Sequence, residues 1–209
     1  DPRRAIDGRA EVVVVAPLLD AQVQAAAHRQ VEVVGVFGPR ERLLPLAQRL
    51  GADVPFFVGG RNAFVEGIGE QLTPIDVPRQ WLAVGKPAAG LATADVFTHP
   101  ALVRDTPSAI LAGFLAEATQ PGFWRTSWGR NDLQPPAENR CPEVAQAAEW
   151  LQSRFGNSRM SGSGSAVFAR NGMDDQPLVT WPVEASLPPG WVGRMCRSLA
   201  QHPLLDWAG

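Results

Sequence analysis

The sequence has no tyrosine, and Lys86 is its one lysine in 209 residues. Positive charge therefore rests almost wholly on arginine. With 21 acidic against 19 basic residues the formal charge is −2. No basic block is present, which argues against nucleic acid as a partner. Cys141 and Cys196 lie far apart in the chain and match no metal-ligand spacing, the pattern of two reduced thiols. His28, His99 and His202 are isolated, so no protein-held metal is expected. The longest apolar run, Val12 to Leu19, is far too short to cross a bilayer, and the arginines near the start lack signal-peptide architecture. These absences point to a soluble, cytoplasmic protein with no membrane partner. A hydrophobic content of 45% is enough to build a core, and the length suits one large or two small domains.

What is present centres on residues 50–57, Leu50-Gly51-Ala52-Asp53-Val54-Pro55-Phe56-Phe57. Upstream, Leu43, Leu44, Leu46, Ala47 and Leu50 have the spacing of a helix with one apolar face. Gly51 falls where that helix would stop, and Pro55 biases Val54 toward extended backbone. Asp53 is then a carboxylate held on a short, stiff segment among small and apolar residues. Such a group either caps a helix or pairs with a cation, or it is put to chemical use.

Before this stretch, Glu11 to Pro17 reads as a buried strand, Asp20 to Arg29 as a helix and Val31 to Phe37 as another strand. After it, Gly59-Gly60 predicts a turn and Ala63-Phe64-Val65 a short strand. Residues 66–70 predict a glycine-punctuated hinge whose Glu66 and Glu70 are solvated or pair with backbone. Pro74 to Arg79 reads as a link between domains, expected at 1–76 and 77–209. Trp81 to Val84 would open the second domain. Thr93 is placed to cap a helix from Ala94, with Phe97 one turn in. Ala109 to Ala118 reads as a helix, Gly122 to Arg130 as a loop bearing Phe123, Trp124 and Trp128, and Asn131-Asp132 as a turn or cap. Val144, Ala147, Ala148 and Leu151 mark one face of a helix. Ser161-Gly162-Ser163-Gly164-Ser165 then forms a bend before an apolar strand, a type of loop that presents backbone N–H groups to an anion. Pro182 to Pro189 and the tail from Trp191 to Trp207 read as a closing strand and helix.

Taken together and in order, several stretches resemble the 4-diphosphocytidyl-2-C-methyl-D-erythritol kinases, a branch of the GHMP small-molecule kinases. They are Gly51 to Phe57, Ala63 to Leu72, Thr93 to Phe97, Arg104 to Pro107, Asn131 to Leu133 and Ser161 to Phe168. The resemblance covers about residues 41 to 207. It implies an α+β, two-lobe fold: a first lobe of ribosomal S5-like type, incomplete here, and a ferredoxin-like second lobe. It also implies transfer of the γ-phosphoryl group of ATP, with Mg2+, to the 2-hydroxyl of a cytidine diphosphate sugar-alcohol in non-mevalonate isoprenoid synthesis. Asp53 matches the family's catalytic carboxylate. Phe97 matches an aromatic that stacks on cytosine, and Thr93 lies in the same substrate motif. Gly162, Ser163 and Gly164 match a motif beside the nucleotide. A homoserine or mevalonate kinase fits the residues around Asp53 less well.

The resemblance stops in the first forty residues. Relatives of this kind carry a glycine-rich phosphate loop about thirty residues ahead of the Asp53 motif. Residues 10–22 here, Ala-Glu-Val-Val-Val-Val-Ala-Pro-Leu-Leu-Asp-Ala-Gln, contain no glycine and no serine pair. Valine and leucine take positive φ only at high cost, and their side chains block close approach of a phosphate. The family's stacking tyrosine is absent too. Glycine codons read out of phase give Val and Ala readily, so a disturbed reading frame over residues 1–40 would account for the change. ATP affinity and turnover are therefore expected to be severely impaired, and the alternative is a non-catalytic remnant or a module that binds cytidine nucleotides.

Overall fold

The computed structural model describes residues 11–13, 40–107, 110–118, 129–173, 175–181, 187–203 and 205. The expected helix at 20–29, the strand at 31–37, the loop aromatics Phe123, Trp124 and Trp128, and most of the segment replacing the phosphate loop lie outside them. The protein is α+β and divides into two compact units, the second built from 80–106 and 112–197. The first unit comprises the described residues up to Arg79, with Pro107, Ile110 and Leu111, and the tail from Ser198 onward.

In the first unit, β1 (Glu11–Val13), β2 (Ala63–Glu66) and β3 (Gln71–Pro74) form an antiparallel sheet in that order. The helix α1 (Arg40–Leu50) buries Leu43 and Ala47, one turn apart, while Leu46 and Leu50 face solvent. Pro45 lies inside α1 on its exposed side. Its missing N–H removes one helix bond. The Gly51 N–H still bonds the Ala47 carbonyl at 3.2 Å and closes the last turn.

The backbone then re-enters a helix, α2 (Val54–Gly59), where the Pro55 bias predicted extended chain. Proline in a first helical turn gives up an N–H that has no partner there, so Pro55 starts the helix instead of breaking it. Gly60, at φ 70°, ends α2 with its N–H on the Phe56 carbonyl. Phe56, Ala63 and Val65 form the small core of this unit, with Phe57, Leu72 and Leu199 packed on it. The tail is stitched in by backbone and one side chain: Arg61 bridges Gln201, the His202 N–H bonds the Gly60 carbonyl at 2.7 Å, and the Asn62 side-chain amide donates to the Leu199 carbonyl.

The second unit holds a four-stranded antiparallel sheet, β5 (Arg159–Met160), β6 (Val167–Arg170), β4 (Trp81–Lys86) and β7 (Val192–Arg197), in that spatial order. Numbered by sequence, this is the 4-1-3-2 order of a ferredoxin-like sheet. The connection from β4 to β5 carries the helices α3 (Thr93–Phe97), α4 (Leu111–Ala118), α5 (Gln134–Arg140) and α6 (Pro142–Phe155). The predicted helical face is borne out: Val144, Ala147, Ala148 and Leu151 are buried against Ala83, Val167 and Ala169 of the sheet. Gly156, at φ 73°, ends α6 with a left-handed cap.

Candidate active site

Asp53 sits between α1 and α2, at the N-cap position of α2 with φ −84° and ψ −18°. It makes no capping bond to the helix and its side chain is exposed. Capping is thus ruled out as its role, and its surroundings are more open than the apolar neighbours in sequence suggested. The backbone under it is firm. Pro55 and Phe56 are buried, and the rings of Phe56 and Phe57 meet edge to face at 5.4 Å. The Val54 N–H bonds the Gly51 carbonyl at 3.3 Å. The predicted hinge at 66–70 is the tight turn between β2 and β3, and in it Gly69, at φ 109°, lies directly on the Ala52 carbonyl. Glu70 is the backbone-pairing carboxylate expected: it accepts from the Ile68 N–H at 2.7 Å. Its own backbone N–H, aided by that of Ile68, holds the Glu70 carboxyl below the usual carboxylate range.

In the second unit, Thr93 begins α3 rather than capping it. The N-cap is Ala92, and no side chain caps the helix. The Thr93 hydroxyl is left to meet the Ser163 hydroxyl at 3.0 Å. The candidate substrate segment and the candidate nucleotide bend therefore touch within this unit. Phe97, at the end of α3, is half-buried, whereas its neighbour Val96 is fully buried and anchors the helix. Arg104 donates to the Phe97 carbonyl at 2.7 Å, and the Thr98 hydroxyl to that of Ala94 at 2.8 Å, so the short helix is tied at its C-terminal end.

The bend at 161–165 is built rather than loose. The Ser161 N–H bonds the Ala166 carbonyl at 2.9 Å and the Gly164 N–H the Ser161 carbonyl at 3.0 Å. Gly162 and Gly164 take positive φ, 52° and 91°. A side chain at Gly164 would strike Met160 and Leu91, whereas Gly162 faces open space. Buried Ser165 donates to the Ala89 carbonyl at 2.8 Å.

Two further holds were not legible in the sequence. The Asn131 amide nitrogen donates to the carbonyls of both Met160 and Gly162, at 2.9 and 2.8 Å, while its oxygen accepts from the Leu133 N–H. The Gln134 side-chain oxygen accepts from the Met160 N–H at 2.9 Å. The turn role read for Asn131 is present, but turn propensity says nothing of a contact some thirty residues away. Among the described residues no group of three His, Cys, Asp or Glu side chains could hold a metal ion. Among them, too, no helix is long and apolar enough to cross a membrane.

Residues 122–170 match the family model of the GHMP kinases C terminal domain. A 4-diphosphocytidyl-2-C-methyl-D-erythritol kinase from Methylibium petroleiphilum is 55% identical over 175 residues, covering 84% of this chain and 58% of that protein. Kinases of the same name from Polaromonas naphthalenivorans and Variovorax paradoxus are 48% and 46% identical, over 83% and 81% of this chain and 55% and 59% of theirs. The chain thus spans less than two thirds of the length of these relatives. A crystal structure titled 4-(cytidine 5'-diphospho)-2C-methyl-D-erythritol kinase is 32% identical with a TM-score of 0.48, covering 62% of this chain and 47% of that one. Over most of its length the chain is similar to the 4-diphosphocytidyl-2-C-methyl-D-erythritol kinases, and its residues 122–170 match the C-terminal region of the GHMP kinases.

Proposed function

We propose that this chain belongs to a cytoplasmic enzyme that phosphorylates the 2-hydroxyl of 4-diphosphocytidyl-2-C-methyl-D-erythritol with ATP. The observation that carries the reading is an uncapped, exposed carboxylate, Asp53, on a fixed backbone in a chain so similar to kinases of that name. Asp53 would accept the proton of the 2-hydroxyl as its oxygen attacks the γ-phosphorus of ATP. The new P–O bond forms as the bond to the β-phosphate oxygen breaks, and ADP leaves. Mg2+ would ride on the nucleotide phosphates and screen their charge, with no protein cluster required to hold it. Phe97 and Thr93 would face the cytidine side of the substrate. Gly162, Ser163 and Gly164 would lie beside the nucleotide, their bend kept in shape by Asn131 and Gln134.

The glycine-free stretch at residues 10–22 supports a second part of the proposal: turnover by this chain is impaired. Backbone donors aimed at the transferring group are a major source of transition-state stabilisation, and a valine run does not supply them. The test is release of ADP with substrate and MgATP, beside calorimetry with cytidine diphosphate and with ATP. Binding of cytidine diphosphate, much weaker binding of ATP and weak, Asp53-dependent turnover are expected. Binding of cytidine diphosphate alone would mark a nucleotide-binding module, and binding of neither a non-catalytic remnant. Vigorous turnover would overturn the impairment, and undiminished turnover of an Asp53→Asn variant would overturn the role of Asp53.

A further inference from the structure

We propose that Gly69 is a positioning residue for the Asp53 carboxylate, acting through the peptide bond that leads into it. The proposal rests on the reading of Asp53 as proton acceptor. At φ 109°, a Cβ on Gly69 would fall 2.9 Å from the carbonyl carbon of Ala52 and closer still to its oxygen. Those two atoms belong to the peptide joining Ala52 to Asp53. Any side chain at position 69 must therefore displace either the β2–β3 turn or that peptide.

The turn is tied by its own backbone bonds. The Gly69 N–H bonds the Glu66 carbonyl at 3.3 Å, and the ladder pairs Glu66 with Gln71. On the other side, the Asp53 side chain has no capping bond to resist rotation of its peptide. Part of the displacement then falls on residues 52 and 53, and the carboxylate shifts from its line of attack. A shift of about 1 Å in a reacting group can cost on the order of 100-fold in rate.

Gly67 supplies a matched control. It lies in the same turn at φ 70°, so alanine there also meets positive-φ strain, though less than at 109°. Its Cβ, however, would meet the Glu70 carboxylate, with Oε2 at 2.6 Å, and that side chain can swing into solvent. Gly67→Ala should therefore lower stability and leave Asp53 where it is.

The experiment compares wild type, Gly69→Ala, Gly67→Ala and Asp53→Asn in steady-state kinetics, with amide NMR on each. Gly69→Ala is expected to lower kcat by about 10- to 100-fold, with KM for both substrates within about twofold. Gly67→Ala is expected to hold kcat within about twofold despite a lower melting temperature. The amide resonances of Ala52, Asp53 and Val54 should move in Gly69→Ala and stay in place in Gly67→Ala. Unchanged kcat in Gly69→Ala, or an equal loss in Gly67→Ala, would overturn the proposal. Wild-type turnover by Asp53→Asn would instead remove the underlying assignment. If the wild-type chain does not turn over, the resonances decide: equal shifts in the two glycine variants, or none, sink the positioning role.

Discussion

Leu43 and Leu50 lie seven residues apart on α1, yet Leu43 is 1% exposed and Leu50 57% exposed. Leu43→Ala should lower the free energy of unfolding by about 2–5 kcal/mol, the range for emptying a packed leucine site. Leu50→Ala should change it by no more than about 0.5 kcal/mol, and denaturant melts of the two variants check the contrast. Periodicity marks the apolar stripe but not the arc of it that meets a neighbour, so the spacing alone made both leucines core. The same holds for Asp53: its position at a helix exit is readable, while its openness depends on where distant chain runs. Glu70 gives a prediction in pH. Its carboxyl is held below its ordinary range by backbone N–H groups, so the charged form favours the folded state. That contribution is present above the unfolded pKa and is lost as pH falls through the lower folded one. Stability measured from neutral pH down through the carboxylate range should fall less steeply in Glu70→Gln than in wild type.

At the scale of elements, the bend at 161–165 illustrates what propensity does and does not carry. Its glycines are legible, and both take the positive φ that only glycine adopts cheaply. Its anchors are not, because Asn131 and Gln134 reach it from the entry of α5. Asn131→Asp keeps the shape of the side chain and the acceptor for Leu133, but sets a carboxylate oxygen against two carbonyl oxygens. Losing both donations should cost about 1–3 kcal/mol, concentrated in this bend. Hydrogen exchange at Gly162, Ser163 and Gly164 should accelerate by at least about tenfold, with α6 protected as before. The helix α2 makes the complementary point. Proline is legible as a breaker, but whether it breaks or begins a helix depends on the four residues after it finding their own carbonyl partners.

At the scale of the molecule, the tail from Ser198 belongs with the first unit, held by Arg61, Asn62 and Gly60. A chain ending at Arg197 should lose the cooperative melting of the first unit and keep that of the second, as calorimetry with amide spectra would show. Strand content and the helical face of α6 announced the second unit from sequence. The return of the tail had no local signal, because a single bridge and a few long-range bonds define it. The second unit also has a particular way of joining the chain. It begins at β4 and ends at β7, and these strands are neighbours with Trp81 opposite Arg197. Paired residues of an antiparallel ladder lie about 5 Å apart. The outer leads of the second unit therefore emerge side by side, while its chain also passes through the first unit at Pro107, Ile110 and Leu111. A short reverse turn from Arg79 to Ser198 would close the gap between these leads, and it would take Pro107, Ile110 and Leu111 of the first unit out with the insert.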